Sequence, residues 1–138
     1  MNIPKDAKSE FNKWHSNTKL VFLNNLLERI LQVSDQTYDS LRDTLQLSSG
    51  QNAEVVNLWI QIGLLKKKTD IISTTVTFLS QYGRMKYIRP IYIAFYLFDK
   101  NQALDTFNKY RSIYHPIAVN LILQDFAKIG VIELKFLS

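Results

Sequence analysis

Apolar residues recur at helical spacing along nearly the whole chain. Leu20, Leu23, Leu27, Ile30 and Leu31 follow an i, i+3, i+7 stripe, which predicts one amphipathic helix over about Asn17 to Gln32. Ser34-Asp35 interrupts it and offers a cap for a second helix carrying Tyr38, Leu41 and Leu45 on one face. After the turn Ser48-Ser49-Gly50, a third helix starts near Asn52 with Val55, Leu58, Trp59, Ile62 and Leu65 inward. The segment Ile71 to Tyr82 is ambiguous, because Ile71-Ile72-Ser73-Thr74-Thr75-Val76-Thr77 has the β-branched content of a strand. Ile72, Val76 and Leu79 keep helical spacing and helices flank it, so helix is the expectation, stopped by Gly83.

Pro90 fits the first turn of a fifth helix, about Arg89 to Phe98, apolar nearly all round and therefore central. Asp99 to Tyr114 predicts a sixth, with Ala103, Phe107, Tyr110 and Tyr114 aligned. Pro116 opens a seventh, carrying Ile117, Leu121, Ile122 and Phe126 and ending at Gly130. Val131 to Leu137 then remains as a short apolar tail. The expected fold is all-α, an irregular armadillo- or HEAT-like array of about seven antiparallel helices in two layers. The expected division is a linker or N-terminal extension over 1–15, a helical domain over 16–129 and the tail over 130–138.

Composition agrees with a packed helical domain. At 138 residues, 46% hydrophobic and 12% aromatic, with 4 Gly and 3 Pro, the chain is neither disordered nor loop-rich. The absence of cysteine excludes disulfides, a thiolate nucleophile and Cys-ligated zinc. The longest apolar run, Ile91 to Phe98, is too short to span a bilayer, and no signal-peptide core is present near Met1, so a cytoplasmic location is expected. The net charge of +5 raises nucleic acid as a partner, but the cations are scattered. Their one run, Lys66-Lys67-Lys68, falls at a helix end, where the dipole favours it.

Catalytic chemistry is sparse. His15 and His115 are far apart, so no helical H-E-x-x-H zinc site exists, and phosphate-binding glycine loops and G-x-S-x-G are absent. His115, before Pro116, suits a turn or cap. What stands out is Gly83-Arg84-Met85-Lys86-Tyr87-Ile88-Arg89-Pro90, with three cations in six residues beside an apolar layer. An arginine fork with a nearby lysine can hold an anion; equally, Lys86 and Arg89 can pair with acidic helix ends.

The block Tyr82 to Pro90, followed by Phe98-Asp99-Lys100 and His115-Pro116, resembles the C-terminal helical domain of the leukotriene A(4) hydrolase and aminopeptidase B group of zinc metallopeptidases. The likeness runs from about Ser16 to Lys128 and includes Trp59; the apolar tail and the aromatic richness of the fifth helix depart from it. The resemblance implies an armadillo-like layer packed against an upstream catalytic domain that holds the zinc, with no catalytic residue or metal ligand in these 138 residues. It also implies that Arg84 binds the free carboxylate of a peptide or lipid substrate, assisted by Lys86. The start at Met1-Asn2-Ile3-Pro4 reads as a linker from a preceding domain. The alternative function is a stand-alone helical scaffold for protein–protein interaction, with Arg84 and Lys86 merely structural.

Overall fold

The computed structural model describes residues 3, 4 and 6–137, without the side chains of residues 134, 136 and 137. Among them there are eight α-helices and no strand: α1 (Ala7–Lys13), α2 (Ser16–Glu28), α3 (Asp35–Leu45), α4 (Ala53–Leu65), α5 (Ile72–Gln81), α6 (Met85–Phe98), α7 (Lys100–Tyr110) and α8 (Pro116–Leu137). The chain is all-α, as the periodicity predicts. Its internal contacts gather into two compact units, residues 1–71 and 72–138.

In the first unit α2 packs on α4 and α1 on α3. Ser34 Oγ accepts from the Thr37 N–H and Asn52 Oδ1 from the Val55 N–H, each at 3.0 Å, and so they cap α3 and α4. The core is led by Tyr38 and Trp59, stacked at 4.8 Å and almost fully buried. The lysine run closes onto acids of this unit: Lys66 lies 3.4 Å from Asp35, and Lys68 3.2 Å from Asp39.

In the second unit α6 packs on both α7 and α8, and α5 on α7. Asp99 caps α7 by accepting from the Gln102 N–H at 3.1 Å. His115 acts as the expected cap, its Nδ1 accepting from the Ile117 N–H at 3.1 Å. Tyr92, Tyr96, Phe107 and Phe126 make the aromatic core between these helices.

Several expectations change. Residues 7–13, within the stretch expected as a linker or N-terminal extension, form α1, whose Phe11 is buried against Trp14 and Phe22; Met1, Asn2 and Lys5 lie outside the described residues. The helix expected to stop at Gly130 continues to Leu137. A glycine inside a helix costs only about 1 kcal/mol, and it terminates one by taking positive φ, which Gly130 does not do. Val131 and Ile132 of this last stretch are exposed. The fifth expected helix begins at Met85, not Arg89, so Pro90 sits in its second turn and removes the N–H that Lys86's carbonyl would accept. Leu31, Leu65 and Ile117 are exposed, although each continues a predicted stripe. In α5 and the turn before it, Ile71, Thr75, Phe78 and Leu79 are buried, while Ile72 and Val76 are half-buried.

Candidate functional site

The cationic block occupies the connection between α5 and α6 and the first turns of α6, wholly within the second unit. Arg84 is the N-cap residue of α6, extended in backbone (φ −70°, ψ 124°), and its side chain makes no capping bond. Its carbonyl accepts from the Tyr87 and Ile88 N–H groups at 2.9 and 3.0 Å, so the backbone here is fixed. The guanidinium lies 5.4 Å from the centre of the Tyr87 ring, is exposed, and forms no ion pair with any described residue. No acidic residue stands in the first turn of α6.

Lys86 is also exposed. It lines a shallow groove of about 380 Å³ with Met85, Arg89, Pro90, Ile93 and Leu121. Arg84 is not part of that lining.

Arg89 has a structural task. Its Nε and Nη2 each donate at 2.9 Å to the two carboxylate oxygens of Asp125 in α8. These hydrogen bonds hold the Arg89 guanidinium above its ordinary pKa. The expectation that Arg89 can pair with an acid is met by a carboxylate in mid-helix, not at a helix end.

Beneath the connection lies a hydrogen-bond chain that no local motif announces. Tyr114 Oη donates to the Leu79 carbonyl at 2.7 Å and lies 2.8 Å from Tyr92 Oη. One hydroxyl has one proton, so Tyr92 must donate to Tyr114. Burial raises both phenols, Tyr114 to about 12 and Tyr92 further. Among the described residues no three His, Cys, Asp or Glu side chains gather to hold a metal, and no helix is long and apolar enough to cross a membrane.

Residues 14–126 match the family described as leukotriene A4 hydrolase, C-terminal. The chain belongs to that family. Within it, the leucine aminopeptidase 2 of Ajellomyces capsulatus is 38% identical over 110 residues, covering 80% of this chain and 18% of the relative. That of Aspergillus fumigatus is 34% identical over the same span. The structure of yeast LTA4 hydrolase in complex with bestatin superposes with a TM-score of 0.78 at 27% identity, covering 86% of this chain and 21% of the other. Native leukotriene A4 hydrolase from Saccharomyces cerevisiae gives 0.74 at 28% identity, over 92% and 23%. The chain thus spans about a fifth of the length of the relatives it matches. The matched family segment includes the 83–90 block, so the membership covers the candidate site.

Proposed function

We propose that these residues act as the C-terminal helical domain of a zinc aminopeptidase or leukotriene A(4) hydrolase-like enzyme of the cytoplasm. In this reading they pack on a catalytic domain and hold the substrate's free carboxylate with Arg84, assisted by Lys86. The observation that carries it is the exposed Arg84 guanidinium at the N-terminus of α6, without an acidic partner among the described residues. Cations at that helix end oppose the dipole, and a bound anion reverses the sign of the interaction. The fork supplies bidentate geometry, which a lysine cannot copy. Exposed Met85, Ile113 and Ile117 in this unit are apolar surface suited to another domain. The zinc would belong to that catalytic domain, since the described residues gather no ligand set.

The test replaces the matching segment of the Ajellomyces capsulatus leucine aminopeptidase 2 with this chain. Cleavage of leucyl peptides ending in a free carboxylate is then compared with cleavage of their amides. Arg84→Ala should lower kcat/KM for the carboxylates by roughly 30-fold, the equivalent of about 2 kcal/mol for a lost charge-assisted pair, and spare the amides. Arg84→Lys should recover part of the loss. Equal losses on both substrates would refute the assignment.

A further inference from the structure

Tyr82, Gly83 and Arg84 form a three-residue connection between α5 and α6, and what holds it comes from far along the chain. The backbone bonding of α5 ends with the Tyr82 N–H donating to the Phe78 carbonyl at 3.0 Å. The Leu79 carbonyl lies in the last turn, where helix carbonyls lose their intrahelical donors. Tyr114 supplies a donor there at 2.7 Å. The same hydroxyl accepts from Tyr92, which is fully buried in the middle of α6. One oxygen therefore ties the end of α5 to the body of α6, on either side of the connection that carries Arg84. The Tyr114 ring also backs the connection directly: its Cδ1 lies 3.6 Å from where a Cβ on Gly83 would stand.

Two phenylalanines would fill nearly the same volume without burying hydroxyls that each demand a partner. A buried polar pair fixes one geometry where an apolar pair tolerates several. Here that geometry is the spacing between the Leu79 carbonyl and Tyr92. Beyond the connection, Arg84 has its backbone held by the Tyr87 and Ile88 amides and its guanidinium over the Tyr87 ring. Tyr87 in turn meets Phe78 edge-on at 6.2 Å, and Phe78 stacks on Tyr82 at 4.4 Å.

We propose that Tyr114 is a positioning residue for Arg84, its hydroxyl bridge from the Leu79 carbonyl to Tyr92 holding the Tyr82–Arg84 connection so that the guanidinium meets a carboxylate in one orientation. This rests on the reading of Arg84 as the carboxylate anchor. It assigns the site a part that lies outside the cationic block. Tyr114 touches no substrate; it acts through the connection.

The test uses the 138-residue chain labelled with nitrogen-15. The exchange of the Tyr82, Tyr87 and Ile88 amides, which donate to the Phe78 and Arg84 carbonyls, is measured, and the Arg84 Nε–Hε resonance is followed while N-acetylglycine is added, with N-acetylglycinamide as the neutral control. Tyr114→Phe should speed exchange at Tyr82, Tyr87 and Ile88 at least tenfold more than at other hydrogen-bonded amides of the second unit, and weaken the carboxylate response of Arg84 at least threefold. Tyr92→Phe keeps the bond to Leu79 and should change both by less. Ile122→Val, a core truncation in α8, should move neither beyond its effect on global stability. A wild-type Arg84 that ignores N-acetylglycine would overturn the carboxylate reading and this assignment with it. A wild type that responds, beside a Tyr114→Phe variant that responds equally with unchanged exchange, would overturn the positioning role alone.

Discussion

Arg89→Met separates the structural cation of the 84–89 block from the other two. The Arg89 guanidinium meets both oxygens of Asp125 at 2.9 Å, but the partners are unequally wet: the Asp125 side chain is 9% exposed and that of Arg89 37%. Methionine keeps the apolar stem and leaves a nearly buried carboxylate without its partner. In fully buried pairs that loss costs about 3–5 kcal/mol. With the guanidinium more than a third exposed, water already screens the pair and can reach the vacated side, which reduces the expectation to about 2–3 kcal/mol. Asp125→Asn leaves an arginine able to hydrate and an amide able to accept one bond, so about 1 kcal/mol is expected. Arg84→Ala, at an exposed position, should stay within roughly 0.5 kcal/mol. Urea titration followed by far-UV circular dichroism reads the differences, and a loss of that size lowers the thermal midpoint by roughly 10 °C. Trp14 and Trp59 both lie in residues 1–71, so their fluorescence reports the other unit separately. If Arg89→Met costs under 0.5 kcal/mol, or Arg84→Ala costs as much as Arg89→Met, the division of roles among these cations is wrong.

Gly63→Ala should destabilise the first unit by about 1–2 kcal/mol, measured by tryptophan fluorescence in urea, although alanine is the better helix former by about 1 kcal/mol. Its Cβ would come within 2.9 Å of Ile71 Cβ and Cγ1 and of Tyr38 Oη, and a more stable variant would show that this packing yields freely. Alkaline titration should separate the buried phenols from the rest of the seven tyrosines. Burial holds Tyr114 up to about 12, whereas an unfolded tyrosine ionises near 10. Between those values the unfolded chain gives up a proton that the folded chain keeps, so stability is full below about pH 10 and falls as pH rises through the window. Tyrosinate absorbance should therefore finish rising only with loss of helical dichroism; complete ionisation near pH 10 with helices intact would contradict the buried network.

The helices were legible because their cause is local. Ser34 is a capping residue placed just before an apolar stripe, and it accepts the expected backbone N–H. The β-branched run at Ile71–Thr77 was decided by tertiary packing, which buried Thr75 and Phe78 and overrode strand propensity. Errors came where a stripe outran its partner. Leu31 continues the spacing of α2, yet the helix ends at Glu28, and the 3-10 turn at Ile30–Gln32 rotates Leu31 into solvent. Gly130 misled for a different reason: a glycine permits a helix to stop without obliging it to, and neither a positive φ there nor a proline beyond it ends this one.

The candidate site divides along the same line between local and distant causes. Arg84, Lys86 and Arg89 are visible as a block, and the resemblance attaches roles to the first two. Nothing in the block tells Arg89 from Arg84, because the difference is Asp125, a residue of another helix whose position only the packing of α6 against α8 determines. Tyr114 is hidden more deeply. In the sequence it reads as the last member of an apolar stripe, alongside Ala103, Phe107 and Tyr110, and that reading is right about its ring, which is buried. The hydroxyl follows a different rule. A buried donor must find an acceptor, and the acceptor it finds is a carbonyl left over where α5 stops, beside the arginine in question. Periodicity reports which faces leave water and says nothing about which polar atoms go with them. In a chain this rich in tyrosine, the partners of the buried hydroxyls are where function can be specified without leaving a motif.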